Sequence, residues 1–206
     1  AAFINSALIN ALDFDDATYV GHPSSTTLSA ALAVGEQVVA SGRDFLTSFV
    51  LGYEVVTRVG KAIWPSPARW KEVWGVGVHQ AFGAVSAAGR LLGLDRFEML
   101  NAFGIAGAST PAPGQMKWEN TPSQSMIKYH LWTGWVSQLA TVAALAAERG
   151  HTGDTTILDG EWSHWQNIGA PPVEVDKVIG NLGKTWRVLK GRYKTYTSCY
   201  IDHTGI

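Results

Sequence analysis

A single cysteine, Cys199, stands in 206 residues. An internal disulfide framework is excluded, and the composition fits a reducing compartment. Charge of one sign is scarce as well: 16 Lys and Arg against 17 Asp and Glu leave a net charge of −1. A protein that grips a phosphate backbone needs a basic stripe, so nucleic acid is not an expected partner. The same balance gives no reason to expect a membrane surface. No run of eighteen apolar residues occurs, so no segment is expected to span a bilayer. The first residues lack the basic and apolar regions of a secretory leader. His-Glu-x-x-His, EF-hand spacing and cysteine clusters are missing, which removes the strong metal motifs.

What remains is 46% hydrophobic, enough for one sizeable core or two small ones. The chain opens on Ala-Ala-Phe-Ile, already in an apolar rhythm, and closes on Asp-His-Thr-Gly-Ile, where a new element begins. It reads as a piece of a longer protein.

Apolar spacing near 3.6 dominates. Phe3, Ile4, Leu8, Ala11 and Leu12 predict a first helix, and residues 26–39 a second, after the start signal Pro23-Ser24-Ser25. Ser41 to Asp44 has the form of a capping box closed by Asp. The helix it opens carries Phe45, Phe49, Val56 and Val59 and ends before Pro65. On it, Glu54 and Arg58 are spaced for a surface ion pair. Further helices are expected over about 75–92, from the cap Asp95 to Glu98 until about Gly107, and over about 123–149, the last being the longest. A Pro- and Gly-rich loop separates the final two. One short turn is expected at Thr155 to Leu158. Beyond Lys184 the rhythm changes, and residues 185–190 and 192–197 read as two short strands around Gly191. The chain is thus mainly α: a helical body over 1–183, entering an α+β region over 184–206.

The segment "LDFDDATYVGHPSS" places three carboxylates, Asp13, Asp15 and Asp16, shortly before His22. If the first helix continues through Asp16, then Asp13 and Asp16 share a face and Asp15 points away. Paired carboxylates on one face can split in pKa and supply an acid and a base. The plainer reading is a solvated helix end, with Ser24 capping the next helix. In "SMIKYHLWTGW", Lys128 and His130 lie about 200° apart on a regular helix, so both cannot face one pocket. Lys128, near a helix start, is placed to meet an anion, although a surface lysine is the plainer reading. "WGVGVHQAFG" has Gln80 where a dinucleotide fingerprint needs its third glycine and has no strand before it, so that motif is rejected. His79 within it reads first as a core histidine. Trp162 and Trp165 flank His164 in a stretch that reads as a packed loop or subunit contact. Cys199 and His203 lie four apart, but no orienting third group is visible for a Cys/His nucleophile.

Taken in order, "NALDFDDATYVGHPSSTTLSAALAVGE", "ASGRDFLTSFVLGYEVVTRVG", "AAGRLLGLD", "RGHTGDTTILDG" and "YKTYTSC" followed by a histidine resemble the MmgE/PrpD family. This family includes 2-methylcitrate dehydratase, cis-aconitate decarboxylase and iminodisuccinate epimerase. The resemblance implies that the Asp-Phe-Asp-Asp and His-Pro-Ser blocks line an active site, with Asp13, His22 and Lys128 catalytic. It implies that Lys194, in a Lys-Thr-Tyr-Thr that replaces the family's Lys-Pro-Tyr-Pro, binds substrate together with Ser24, His79 and Cys199. Two departures stand out: Trp74 falls near a family histidine, and Cys199 takes the place of another.

The resemblance further implies proton transfer at a carbon next to a carboxylate, without metal or organic cofactor, on a small di- or tricarboxylate. His22 or Asp13 would handle the proton while lysines balance the substrate's charge. Loss of hydroxide, loss of carbon dioxide or return of the proton would give a dehydratase, a decarboxylase or an epimerase. A non-catalytic helical interaction module is the alternative from another class. A homodimer is implied, with Trp132, Trp135, Trp162 and Trp165 as its aromatic face. So is a cytoplasmic location, or a mitochondrial one if a transit peptide precedes the chain.

Overall fold

The computed structural model describes residues 1–70, 72, 75–110, 132–167 and 173–205. It is mainly helical, with one two-stranded antiparallel sheet among the described residues. The helices are α1 (Ala2–Asn10), α2 (Pro23–Gln37), α3 (Gly42–Ala62), α4 (Pro67–Trp70), α5 (Gly75–Val78), α6 (Gln80–Leu92), α7 (Arg96–Ser109), α8 (Thr133–Glu148), α9 (His164–Asn167) and α10 (Val175–Ile179). Two 3₁₀ turns, Arg187–Lys190 and Tyr200–Thr204, and the strands β1 (Asp16–Ala17) and β2 (Arg192–Tyr193) complete the described elements. None of the described helices is long and apolar enough to cross a membrane.

Helix α6 is the centre. Every residue from Gln80 to Gly89 is buried, and the helix packs against α2, α3, α7 and α8. A helix can be buried all round when most of its side chains are small, and seven of the ten residues of "QAFGAVSAAG" are Ala, Gly or Ser. Its partners answer in kind: Ala30, Val34, Ala140, Ala143, Ala144 and Ala147 join one core cluster with Ala81, Ala84, Val85 and Ala88. The crossing of α3 over α6 is tight at Gly52 and Gly83. A Cβ on Gly83 would stand 2.6 Å from Val56 Cβ and 2.7 Å from the Gly52 carbonyl.

The caps fall where the sequence places them. Ser41 Oγ accepts the Asp44 N–H at 3.1 Å and donates to Asp44 Oδ2 at 2.7 Å. Asp95 and Glu98 form a complete capping box at the start of α7. A turn occupies residues 155–158. The helix expected over 75–92 is broken at His79 into α5 and α6. The longest described helix is α3, at 21 residues, and not the one ending at Arg149, whose expected first part lies outside the described residues.

Three expectations are corrected. First, α1 stops at Asn10, and the buried face is Ala2, Ser6 and Asn10 while Ile4, Leu8 and Leu12 face outward. The reason is its close approach to α8: a Cβ on Gly134 would lie 2.9 Å from the Phe3 carbonyl, and Thr133 donates to the Ser6 carbonyl at 3.3 Å. Only small residues fit that contact. Second, the Glu54–Arg58 pair is buried rather than on the surface. Third, residues 185–190 are no strand. They include a 3₁₀ turn, and β2 pairs not with them but with β1, in the register Asp16↔Tyr193 and Ala17↔Arg192. The strand partner lies some 175 residues away, beyond the reach of a local pattern.

Candidate active site

The acidic segment follows α1 as a turn and not as a helical extension. Asp13 adopts φ 48°, a left-handed conformation that Asp tolerates better than most residues. The chain then bends through Asp15 into β1, with Asp13 and Asp15 turned toward Lys194 and Asp16 toward Ser24 and Tyr53. This reverses the helical expectation that grouped Asp13 with Asp16.

All three carboxylates are buried, and each has partners. Lys194 Nζ donates to the Asp13 carbonyl at 2.8 Å and to the Asp13 carboxylate, and stands 3.8 Å from Asp15 Oδ1. Asp15 Oδ2 accepts the Asn10 side-chain amide at 2.8 Å, and its Oδ1 lies 3.2 Å from His22 Nδ1. A carboxylate only accepts, so Nδ1 carries the proton and Nε2 is left as the basic nitrogen of the neutral ring. The Asp13, Asp15 and His22 ligand atoms lie within 4.8 Å of one another, a spacing that could hold a cation. Here an ammonium, Lys194 Nζ, takes the cation's place between the two aspartates.

Asp16 faces α2 and α3. Its Oδ1 accepts the Ser24 N–H at 3.1 Å and the Ser24 hydroxyl, and its Oδ2 accepts the Tyr53 hydroxyl at 2.5 Å. Asp16 therefore caps the N-terminus of α2, a favourable place for an anion. Burial nevertheless pushes its carboxyl above the usual carboxylate range, against the opposing pull of the Ser24 and Tyr53 hydrogen bonds. Burial and the adjoining Asp16 push the Tyr53 phenol up in turn.

The loop between β1 and α2 is pinned from below. Thr18 and Gly21 exchange backbone hydrogen bonds at 2.9 and 3.1 Å, and the carbonyl of fully buried Val20 accepts from His79 Nε2 at 2.7 Å.

The structure thus brings together Asp13, His22 and Lys194 around Asp15, which Asn10 also holds, while Asp16 and Tyr53 form a separate network with Ser24; the sequence alone points to neither Asn10 nor Tyr53. The only sequence signal for Asp15 is its place in the Asp-Phe-Asp-Asp cluster. Nothing local pointed to Tyr53, 37 residues from its partner. Ser24 directs both its N–H and its hydroxyl to Asp16. His79 is fully buried beneath the loop, so it holds the site's backbone rather than facing a ligand. Cys199 is half-buried at the start of a 3₁₀ turn, and among the described residues no hydrogen bond joins it to His203, whose ring lies between Tyr196 and Tyr200. His164 is buried edge-on to Phe82, with hydrogen bonds to the Gly107 and Val78 backbone. Burial lowers its pKa. Lys128, His130 and Trp74 lie outside the described residues.

Such a cluster, a histidine oriented by a buried carboxylate beside a charge-compensated lysine, is suited to moving a proton at an activated carbon. Comparison with known proteins agrees in class. The MmgE/PrpD N-terminal domain model matches residues 1–173, and the chain belongs to this family. It is 29% identical over 217 residues to a cis-aconitate decarboxylase of Aspergillus terreus, covering 98% of this chain and 43% of that protein. It is 31% identical over 169 residues to the cis-aconitate decarboxylase of Homo sapiens, covering 78% and 33%. The chain spans less than half the length of the curated relatives it matches.

Proposed function

We propose that this chain carries the proton-transfer half of a cofactor-independent lyase active site, acting on a small di- or tricarboxylate, with decarboxylation of cis-aconitate as the leading reaction. The observation that carries the proposal is the Asn10–Asp15–His22 relay. It fixes the imidazole tautomer and orientation and leaves Nε2 to exchange a proton with substrate carbon. Asp13 is not the base in this reading, because Lys194 holds its carboxylate. Lys194 keeps the two aspartates from repelling an anionic substrate, and Lys128 remains the candidate to hold a substrate carboxylate. In decarboxylation Nε2 first takes a proton from water; the C–CO₂ bond then breaks, its electron pair passes into the adjoining unsaturated system, and the imidazolium Nε2–H delivers that proton to the carbanion. In dehydration the same nitrogen would take a proton as hydroxide leaves.

The burial of Asp13 and the Asp15–His22 contact weigh against a purely structural module. A homodimer remains part of the proposal, with its aromatic face revised. Trp132 belongs to the core, whereas Trp135 and Trp162 are exposed. Trp135 meets Phe3 edge-on at 5.0 Å, and Ile4 and Leu8 of α1 are likewise exposed.

The test is to incubate full-length protein with cis-aconitate, 2-methylcitrate and citrate in deuterated buffer containing chelator, with the products followed by NMR. A decarboxylated alkene carrying one solvent deuteron is expected. Deuterium exchange with no loss of carbon dioxide or water would replace the lyase by an epimerase. Activity that requires added metal would defeat the cofactor-free reading.

A further inference from the structure

Lys194 reaches the site on a segment with little packing of its own. Helix α10 and the Arg187–Lys190 turn bury no residue, and the stretch between them is exposed. Val178 packs partly buried against the cluster of Val59 and Ala62, and the polar tie between this segment and the body is a buried ion pair on α3. Arg58 Nε donates to Glu54 Oε1 at 2.5 Å. Its Nη1 donates to the carbonyls of Val178 and Gly180, both at 2.8 Å, and its Nη2 to those of Thr185 at 3.1 Å and Asn181 at 3.5 Å. All five guanidinium N–H groups are thereby allotted, four of them to backbone carbonyls of one short stretch. Glu54 Oε2 accepts the Arg187 N–H at 2.6 Å. One residue earlier on the same helix, the Tyr53 hydroxyl fills the space beside Gly191, where a Cβ would stand 2.8 Å from it. That hydroxyl also donates to Asp16. Arg58, Glu54 and Tyr53 thus hold residues 178–185, 187 and 191 in succession, then β2 pairs with β1, and Lys194 follows directly.

We propose that Arg58 and Glu54 are positioning residues: a buried clamp that reads the backbone of residues 178–187 and so sets where Lys194 meets Asp13 and Asp15. The proposal rests on the reading of Lys194 as part of the active site. Lysine in place of Arg58 would keep the charge and lose the fork. Replacing the pair by apolar residues of similar volume is commonly tolerated by a fold, so it would remove the clamp without leaving a buried lone charge.

The experiment uses full-length protein, with Arg58→Lys and the double variant Glu54→Leu/Arg58→Met. Circular dichroism and melting report the helical body. Hydrogen exchange reports residues 178–194, and kinetics report the site. Both variants are expected to keep wild-type helicity, and residues 178–194 to exchange about tenfold faster or more while α6 stays protected. In kinetics, kcat/KM should fall about 10- to 100-fold, the scale of a displaced catalytic group. Adding Lys194→Met to either variant should then produce little further loss, because Lys194 is already misplaced. Unchanged exchange across 178–194 in the double variant overturns the clamp. So does a full multiplicative loss on adding Lys194→Met. Loss of folding in Arg58→Lys leaves the decision to the double variant, and loss of folding in both assigns the pair to the core and overturns the proposal. The exchange readout needs no substrate. If the wild-type enzyme proves inactive on every carboxylate tried while exchange still rises, the reading of the active site fails and the clamp stands.

Discussion

The helical core and the loop at residues 10–24 are held together by opposite means. Around α6 the contacts are between Ala, Gly and Val, and adhesion comes from close approach of helices. Around the loop the contacts are ionic or hydrogen-bonded, and three buried carboxylates depend on Lys194, His22, Asn10, Ser24 and Tyr53. Burying a charge is unfavourable unless it is paired. The loop therefore does not pack itself: helices α2 and α3 and the distant β2 segment must already be in place. The first region rests on apolar packing, and the second carries the proposed chemistry.

The sharpest way to break this division is at the relay. His22→Gln should lower kcat/KM about 10²- to 10⁴-fold, the range of a lost general acid–base, with melting nearly unchanged. Asp15→Asn should lose less, about 10²-fold, and should alter the pH profile, since its amide no longer balances an imidazolium. Wild-type kinetics in both would return the cluster to a structural role. Core variants should show the reverse. Gly83→Val must push Val56 and the Gly52 carbonyl away, and an overpacking cost of about 3 kcal/mol is expected from urea midpoints. If it folds, its remaining native fraction should turn over normally.

A smaller effect concerns pH. His164 is buried among Phe82 and the Gly107 and Val78 backbones, and its folded pKa lies below the ordinary 6.5. The unfolded chain then binds the proton more tightly, so stability is fully present above pH 6.5 and falls as pH drops from there toward the folded value. His164→Gln should flatten that limb, read from unfolding curves between pH 7 and 5. Asp16 acts in the opposite sense. Its raised carboxyl makes the folded state hold the proton more tightly, so its contribution declines as pH rises above 3.8. The smallest expected change is Trp135→Ser, which should alter monomer stability by no more than about 0.5 kcal/mol. Light scattering should nonetheless show a lower mass if that face joins two copies.

Much of the architecture was legible in the chain. Periodicity located the helices, and the Ser41 and Asp95 caps placed their starts because capping depends on four consecutive residues. The family blocks named Asp13, His22 and Lys128 as catalytic and Lys194, Ser24, His79 and Cys199 as substrate-binding; the structure brings Asp13, His22 and Lys194 together, and Lys128 lies outside the described residues. Errors arose where the deciding partner was remote. By periodicity Ile4, Leu8 and Leu12 read as a buried face, whereas the contact with Gly134 puts the small residues of α1 inward. Glu54 and Arg58 had surface spacing, and only the carbonyls of residues 178–185 make them a buried pair.

By itself, then, the sequence determined the mainly helical class, the small-residue helices, the caps and the family. Those properties are written in neighbours three or four residues apart. Tertiary structure alone decided which carboxylate faces the histidine, that Lys194 rather than solvent neutralises Asp13, and that β2 pairs with β1. These are contacts between residues up to 181 positions apart, fixed only when the core has closed and water has been removed from around the charges.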